Sequence, residues 1–129
     1  MMKIVSWNCK GLGSNLKENA MKDLIRMENP DILLIQETKM EEGNFLRSSS
    51  FFWRKGHRIA VLSRGASGGI GTLWDDAKFE LVQNRLETHW IFTQFRHKAS
   101  RNLVSLFNIY VPVNFIEKKN NVGILFVHL

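Results

Sequence analysis

The stretch Asp31-Ile-Leu-Leu-Ile-Gln-Glu37 decides the fold, because its apolar run is short, uninterrupted and closed by an acidic residue. Such a run is typical of a strand that is buried on both faces. Another strand-like run, residues 3–8, precedes it and ends in Asn8. Between the two, residues 17–27 place their apolar side chains on one side at helical spacing, and Pro30 ends this helix. The order strand, helix, strand predicts an α/β fold.

Glu37 is the first candidate for a functional residue. A carboxylate at the C-terminal end of a buried strand suits either a hard cation or a ribose. The ribose alternative fits the outline of a dinucleotide-binding unit, in which Gly11-x-Gly13 follows the first strand. That unit needs a third small residue for close packing of the helix, and Leu16 stands at this position. We therefore favour the cation.

The rest of the chain has a different pattern. Residues 38–50 predict a polar loop, and the triplet of serines at 48–50 predicts that this loop is mobile. Five runs rich in β-branched and aromatic residues follow, separated by turn signals: residues 59–62, 69–74, 79–82, 90–95 and 103–111. They predict an antiparallel meander that joins the first strands in a mixed sheet.

Length and composition limit the class of protein. The chain of 129 residues fits one domain, and Cys9 has no second cysteine with which to form a disulfide. No apolar run approaches the roughly 20 residues that span a bilayer, and no signal-peptide pattern precedes the first strand. These features predict an intracellular protein, of the nucleus or the cytoplasm, that does not enter a membrane. The net charge of +6 favours a polyanionic partner, whereas the oligomeric state stays open.

Four motifs, taken in order, carry a resemblance to a known family. They are Trp7-Asn8-Cys9-Lys10-Gly11-Leu12-Gly13, Ile35-Gln36-Glu37-Thr38, Ser67-Gly68-Gly69-Ile70 and Asn108-Ile109-Tyr110-Val111-Pro112. Together they resemble the endonuclease/exonuclease/phosphatase family, and within it the endonuclease domains of plant LINE-type (non-LTR) retrotransposons. The resemblance implies a DNase-like, four-layer α/β sandwich, of which this chain covers the N-terminal part. We expect a partial family domain at residues 1–119 and a divergent tail at residues 120–129.

The resemblance also implies roles for three residues. Glu37 resembles the family's Mg²⁺ ligand, and Mg²⁺ prefers hard oxygen donors. Asn8 resembles the amide that helps to position the metal ligand or the scissile phosphate, although an asparagine that closes a strand before a turn also explains it. Tyr110 resembles the phenol that hydrogen-bonds the phosphate. The implied partner is nucleic acid, with DNA favoured.

Two departures from the family pattern concern the chemistry. No aspartate has an asparagine two residues later, so the family's Asp-x-Asn motif is missing. None of the histidines at positions 57, 89, 97 and 128 follows an aspartate, so the closing Asp-His motif is missing too. We therefore expect a truncated phosphodiesterase domain that is inactive alone, or alternatively a non-catalytic, nucleic-acid-binding remnant.

A basic and aromatic segment allows two interpretations. Phe51, Phe52 and Trp53 are interleaved with five basic residues: Arg47, Arg54, Lys55, Arg58 and Arg64. Such a segment is typical of a surface that attracts phosphates and stacks bases. Aromatic residues in a β-rich protein also belong to the core, and the sequence leaves this choice open.

Overall fold

Two parallel strands, β1 (Lys3–Asn8) and β2 (Ile32–Gln36), lie inside a five-stranded sheet, and the helix α1 (Asn15–Glu28) is the crossover between them. This computed structural model describes residues 2–64, 67–110 and 124–128. The elements are β1 Lys3–Asn8, α1 Asn15–Glu28, β2 Ile32–Gln36, α2 Glu42–Phe52, β3 Arg58–Arg64, β4 Ser67–Trp74, β5 Phe79–Leu86, β6 Trp90–His97, β7 Leu103–Ile109 and β8 Ile124–His128. The predicted α/β class and mixed sheet are confirmed.

The start and end of α1 follow its sequence signals. The Ser14 hydroxyl caps the helix by accepting a hydrogen bond from the Lys17 backbone N–H at 3.2 Å. At the other end Asn29 adopts the left-handed region, with φ 46°, and Pro30 follows. Met21 is fully buried against the sheet.

The predicted loop at residues 38–50 is wrong over most of its length, because α2 occupies Glu42–Phe52. Tertiary packing holds this helix: Phe45 lies over Gly71 of β4, where a Cβ atom would come within 2.4 Å of its ring. The three serines are part of the helix, and the hydroxyls of Ser49 and Ser50 donate back to the Leu46 carbonyl. Local composition favours a loop here, and contacts distant in sequence overcome it.

The predicted meander is divided between two sheets. β3 and β4 form a hairpin that joins β2, which gives the five-stranded order β3-β4-β2-β1-β8. β5, β6 and β7 form a separate three-stranded antiparallel sheet. The strand β8 lies within the predicted tail and pairs antiparallel with β1, whereas the expected boundary at residues 119–120 falls outside the described residues.

In the described residues, apolar clusters on both faces of the five-stranded sheet hold three layers together. One face of the five-stranded sheet, including Val5 and Leu33, packs on the helices. The other face, including Ile32, packs on Phe79 and Phe95 of the three-stranded sheet. The alternation along β1 and β2 assigns successive residues to opposite faces, as expected for a sheet covered on both sides. No helix in the described part of the chain is long and apolar enough to cross a membrane.

The aromatic part of the basic segment belongs to the core. Phe52 and Trp53 are buried, and the Trp53 indole N–H donates to the Trp74 carbonyl at 3.2 Å. Phe51 is the exposed member of the three. The interpretation of the whole segment as a stacking surface is therefore wrong for two of its three aromatic residues.

Candidate active site

Glu37 is the first residue after β2, and its backbone is held from both sides. Its carbonyl accepts a hydrogen bond from the Gly11 N–H at 2.7 Å, and the N–H of the next residue, Thr38, donates to Gly69 at 3.0 Å. Glu37 itself adopts the left-handed region, with φ 58°, which turns the chain sharply at the end of the strand. Its side chain is only 10% exposed. The sheet edge therefore fixes the position of this carboxylate.

Asn8 lies beside this turn because β1 and β2 are parallel and in register. Asn8 pairs with Gln36, the last residue of β2, so the two strands end at the same edge. The Asn8 side-chain oxygen accepts a hydrogen bond from the Lys10 N–H at 3.2 Å. This contact closes the turn after β1 and is the structural role that the sequence allowed for this residue.

Tyr110 approaches the same edge from the other sheet. It follows β7, is buried against Ile70 and Ile91, and its backbone N–H donates to the His89 carbonyl at 2.8 Å. Burial raises the pKa of the Tyr110 phenol, and the negative charge of Glu37 raises it further. The phenol therefore stays neutral and able to donate a hydrogen bond at physiological pH. The structure thus brings together the three residues that the sequence singled out.

A buried network of polar side chains lies beneath these residues and joins the two sheets. The Asn108 side-chain oxygen accepts a hydrogen bond from Gln36 at 2.8 Å, and the Gln36 amide also donates to Ser6 at 2.9 Å. The Asn108 amide nitrogen donates to the Gly71 carbonyl at 2.8 Å and to the Thr72 hydroxyl at 3.2 Å. Gln36 and Asn108 stand one and two residues before Glu37 and Tyr110, so the network fixes both strand ends.

Lys39 is a functional candidate that the sequence reasoning missed. Its ammonium lies 3.6 Å from the Glu37 carboxylate, and its backbone N–H donates to Gly68 at 2.9 Å. The pair is partly exposed, so its contribution to stability is small. Its position matters more, because it places a positive charge beside the Glu37 carboxylate at the edge of the sheet. The sequence signal for this contact is that Lys39 stands two residues after Glu37.

Two of the described histidines lie in different places relative to the Glu37 edge. His89 is next to Tyr110, with 6.2 Å between the ring centroids. Within the described residues, the ion pair that involves a histidine is His57 with Asp76, at 3.3 Å. The His57 carbonyl bonds to Trp74, which pairs with the first residue of β2, so this pair lies at the opposite edge from Glu37.

The donor groups at this edge fit Mg²⁺ in part. No group of three or more His, Cys, Asp or Glu side chains converges in the part of the chain that the structure describes. Glu37 offers carboxylate oxygens, and the Asn8 amide offers a neutral oxygen that already accepts one hydrogen bond. Mg²⁺ is often held by one or two carboxylates and keeps several waters. The residues therefore fit a weakly held Mg²⁺, with Glu37 as its protein ligand.

The fold and the site define an α/β protein with a buried carboxylate at the carboxyl edge of its parallel strands. A profile of the endonuclease/exonuclease/phosphatase family matches residues 5–122. This chain belongs to that family. The membership agrees with the motifs at Asn8, Glu37 and Tyr110.

Several known proteins are similar to this chain in sequence or in fold. The chain is 54% identical over 122 residues to the DNA repair nuclease APEX1 of Danio rerio, covering 81% of this chain and 39% of that protein. Its structure resembles that of the AP endonuclease LMAP of Leishmania major, with a TM-score of 0.62 and 22% sequence identity. The match covers 85% of this chain and 40% of that one. It also resembles the structure of the mannosyl-6-phosphatase Bt3783 of Bacteroides thetaiotaomicron, with a TM-score of 0.64 and 12% sequence identity. That match covers 83% of this chain and 50% of the other.

The chain spans less than half the length of the curated relatives that it matches. The two structural likenesses are below 25% identity and show the fold alone. The same fold is found in a nuclease and in a sugar phosphatase, so substrate choice depends on the site and not on the layers.

Proposed function

We propose that this chain carries the cation-binding and phosphate-binding part of a phosphodiesterase site that acts on DNA. The observation that carries the proposal is the contact of both residues with the start of β4. A Cβ atom added to Gly68 would lie 3.9 Å from the Tyr110 ring, and Gly68 and Gly69 accept hydrogen bonds from the two residues that follow Glu37. The negative charge of Glu37 accordingly adds to the effect of burial in raising the pKa of the Tyr110 phenol. This arrangement supports a carboxylate for a cation and a neutral hydrogen-bond donor for a phosphate at one edge of the sheet.

Each residue has a distinct task in this proposal. Glu37 would hold Mg²⁺, which when bound polarises a phosphoryl oxygen. Tyr110 donates a hydrogen bond to a non-bridging oxygen of the phosphate, because its raised pKa keeps its proton in place. Lys39, whose ammonium lies 3.6 Å from Glu37, attracts the phosphate and offsets charge around the carboxylate. Asn8 holds the turn that presents the loop after β1.

We further propose that the chain does not hydrolyse DNA by itself. Hydrolysis needs a group that takes a proton from water and groups that orient this water. The sequence has no Asp-x-Asn and no Asp-His motif, and the described histidine ion pair lies at the far edge of the sheet. When catalytic groups act as a unit, their contributions to the rate are not additive, so a site with only some of these groups gives little activity.

DNA is the substrate class that the relatives favour. The zebrafish relative is named a DNA repair nuclease, and the Leishmania structure is that of an AP endonuclease. The net charge of +6 agrees with a polyanionic substrate. On the four motifs quoted above, we also propose kinship with the endonuclease domains of plant LINE-type retrotransposons. Continuation of the reading frame in the surrounding transcript into an Asp-x-Asn motif and then a Ser-Asp-His motif would support this.

Nicking of supercoiled plasmid tests the proposal of inactivity. We expect the purified chain with Mg²⁺ to produce no more nicked circles than a vector-only preparation. Glu37→Ala, chelator and Glu80→Ala serve as comparisons, since Glu80 is an exposed acid that pairs with Arg96 at 3.7 Å on the outer sheet. Nicking that requires Mg²⁺ and Glu37, but not Glu80, would overturn the proposal that the chain is inactive alone.

A spectroscopic test addresses the site without requiring activity. Tyr110 is the sole tyrosine of the chain, so tyrosinate absorbance near 295 nm reports its titration. Glu37→Gln should lower the pKa of Tyr110, because it removes the negative charge and leaves the effect of burial. Glu80→Gln should leave it unchanged. Equal pKa values in the wild type and in Glu37→Gln would contradict the proposed juxtaposition.

A further inference from the structure

A cleft lies between α1 and α2, next to the Glu37 turn. Its volume is about 740 Å³, within the roughly 300–1,000 Å³ that is usual for ligand sites. Its lining is mainly polar and comes from the loop after β1, the loop after β2 and the facing sides of both helices. Asn8, Glu37 and Tyr110 are not among its lining residues. The cleft is therefore a place separate from the site described above.

Lys39 connects the cleft to the Glu37 site. This residue lines the cleft, while its ammonium lies 3.6 Å from the Glu37 carboxylate. Its backbone is bonded to Gly68, and Gly11 packs 3.5 Å from its side chain, measured from the position of an added Cβ atom. A polymer that places one phosphate at Glu37 can therefore continue past Lys39 into the cleft.

The lining offers contacts for each part of a nucleotide. Lys39 and Arg47 supply positive charges for phosphate oxygens. Phe51, which is 41% exposed, and Met40 supply apolar surfaces for the face of a base. Asn44 supplies an amide that can both donate to and accept from a base edge. Because base faces and edges must be reachable, the arrangement fits a single strand better than a stacked duplex.

The start of α2 adds to this arrangement. Its N-cap residue, Glu41, makes no side-chain capping hydrogen bond, so no side chain at that position satisfies the first-turn N–H groups. These N–H groups can donate to an oxygen on the edge of a base, whereas the adjacent Glu41 carboxylate would repel a phosphate. The Lys22 ammonium, 4.7 Å from the Phe51 ring centroid, brings another positive charge near the far end of the cleft.

The two carboxylates of the cleft restrict how a nucleotide can lie. Glu18 and Glu41 line it, and Glu18 accepts a hydrogen bond from the Ser48 hydroxyl at 3.0 Å. A phosphate next to either carboxylate would be repelled, whereas the amino group of a base can donate to one. Phosphates therefore belong near Lys39 and Arg47, and base edges belong near the carboxylates.

We propose that the cleft between α1 and α2 is a nucleotide subsite that holds the stretch of a single nucleic-acid strand adjoining the phosphate at Glu37. This inference rests on the proposed function, since it takes Glu37 and Tyr110 as the phosphate site from which the strand extends. It assigns Arg47 to a phosphate and Phe51 to a base.

The test is the dependence of affinity on strand length. Fluorescence anisotropy measures binding of labelled single-stranded DNA of three and of ten nucleotides, at about 50 mM salt with Mg²⁺ present. The wild type should bind the longer strand more tightly. Arg47→Ala and Phe51→Ala should each weaken binding of the ten-nucleotide strand about tenfold, as expected for loss of a stacked base or a phosphate contact, and should leave the trinucleotide unaffected.

Matched controls lie on or next to the same helix. Arg54→Ala removes the same charge outside the cleft, and Leu46→Ala shortens an apolar side chain that is 43% exposed on α2. All four side chains are exposed, so the variants should keep the wild-type circular dichroism spectrum. Both control variants should bind the two strands like the wild type.

The outcomes separate the two proposals. The subsite is refuted if Arg47→Ala and Phe51→Ala act no differently from their controls, if the wild type binds both lengths equally, or if neither strand binds. Tyr110→Phe should weaken both lengths alike if the phosphate site is as proposed. A different result would separate the two sites. If the cleft variants lose the dependence of affinity on strand length, but Tyr110→Phe binds both strands like the wild type, the subsite is supported and the phosphate site is refuted.

Discussion

Replacing Asn108 with alanine removes the centre of the network that joins the two sheets. Asn108 is 1% exposed and makes two hydrogen bonds of 2.8 Å, one from the Gln36 amide and one to the Gly71 carbonyl. A longer bond of 3.2 Å reaches the Thr72 hydroxyl. Each neutral bond contributes about 1 kcal/mol net, and a buried partner left unsatisfied costs about 1–3 kcal/mol.

These contributions set the expected loss for Asn108→Ala. The Gln36 amide keeps its bond to Ser6 at 2.9 Å, so it is not stripped of partners. The lost bonds, the longer ones being weaker, and a small cavity then lower the free energy of unfolding by about 2–4 kcal/mol. This is a large fraction of the roughly 5–15 kcal/mol that stabilises a typical domain.

Urea denaturation followed by tryptophan fluorescence measures this loss, because Trp53 and Trp74 are buried in the clusters on opposite faces of the five-stranded sheet. The exposed Asn84 of β5 is the matched control, and Asn84→Ala should change the free energy of unfolding by less than about 0.5 kcal/mol. A double-mutant cycle with Gln36→Ala should show a coupling of about 0.5–3 kcal/mol. A loss below about 1 kcal/mol, or additive single variants, would refute the bridging role of Asn108.

Three further predictions concern a thiol, a close contact and the salt dependence of binding. Burial raises the pKa of the Cys9 thiol to about 11, so iodoacetamide at pH 8 should leave the folded protein unlabelled and label it in urea. The free energy of unfolding should fall as pH rises from about 9 towards 11, because the unfolded chain releases this proton at lower pH, and Cys9→Ala should lessen that fall. Gly71→Ala should destabilise the protein by about 1–3 kcal/mol, since the new Cβ would lie 2.4 Å from the Phe45 ring. Adding Phe45→Leu should restore part of the lost stability. An unchanged urea midpoint in Gly71→Ala would show that α2 does not pack against Gly71. Binding to DNA should be independent of sequence and should weaken steeply between 50 and 200 mM salt, as anisotropy will measure, and binding that survives high salt would rule out dominance by phosphate contacts.

Local sequence signals were sufficient for the first unit of the fold. The apolar run that ends at Glu37, the helical spacing before it and the proline at 30 predicted β1, α1 and β2 because each signal acts within a few residues. The parallel pairing of the two strands then required Asn8 and Glu37 to share an edge. The metal and phosphate roles of Asn8, Glu37 and Tyr110 remain predictions, since they came from resemblance.

Only the tertiary structure decided which distant segments meet. The residues of α2 have a weak helical pattern. The helix forms because Phe45 and Phe52 pack into a core that includes residues of β1, β2 and β4. The division of the meander into two sheets, the bridge between Gln36 and Asn108, and the cleft that begins at Lys39 all join residues far apart in the chain. Spacing along a sequence encodes the periodicity of one element, whereas which elements pack together depends on burial and hydrogen bonding across the whole domain.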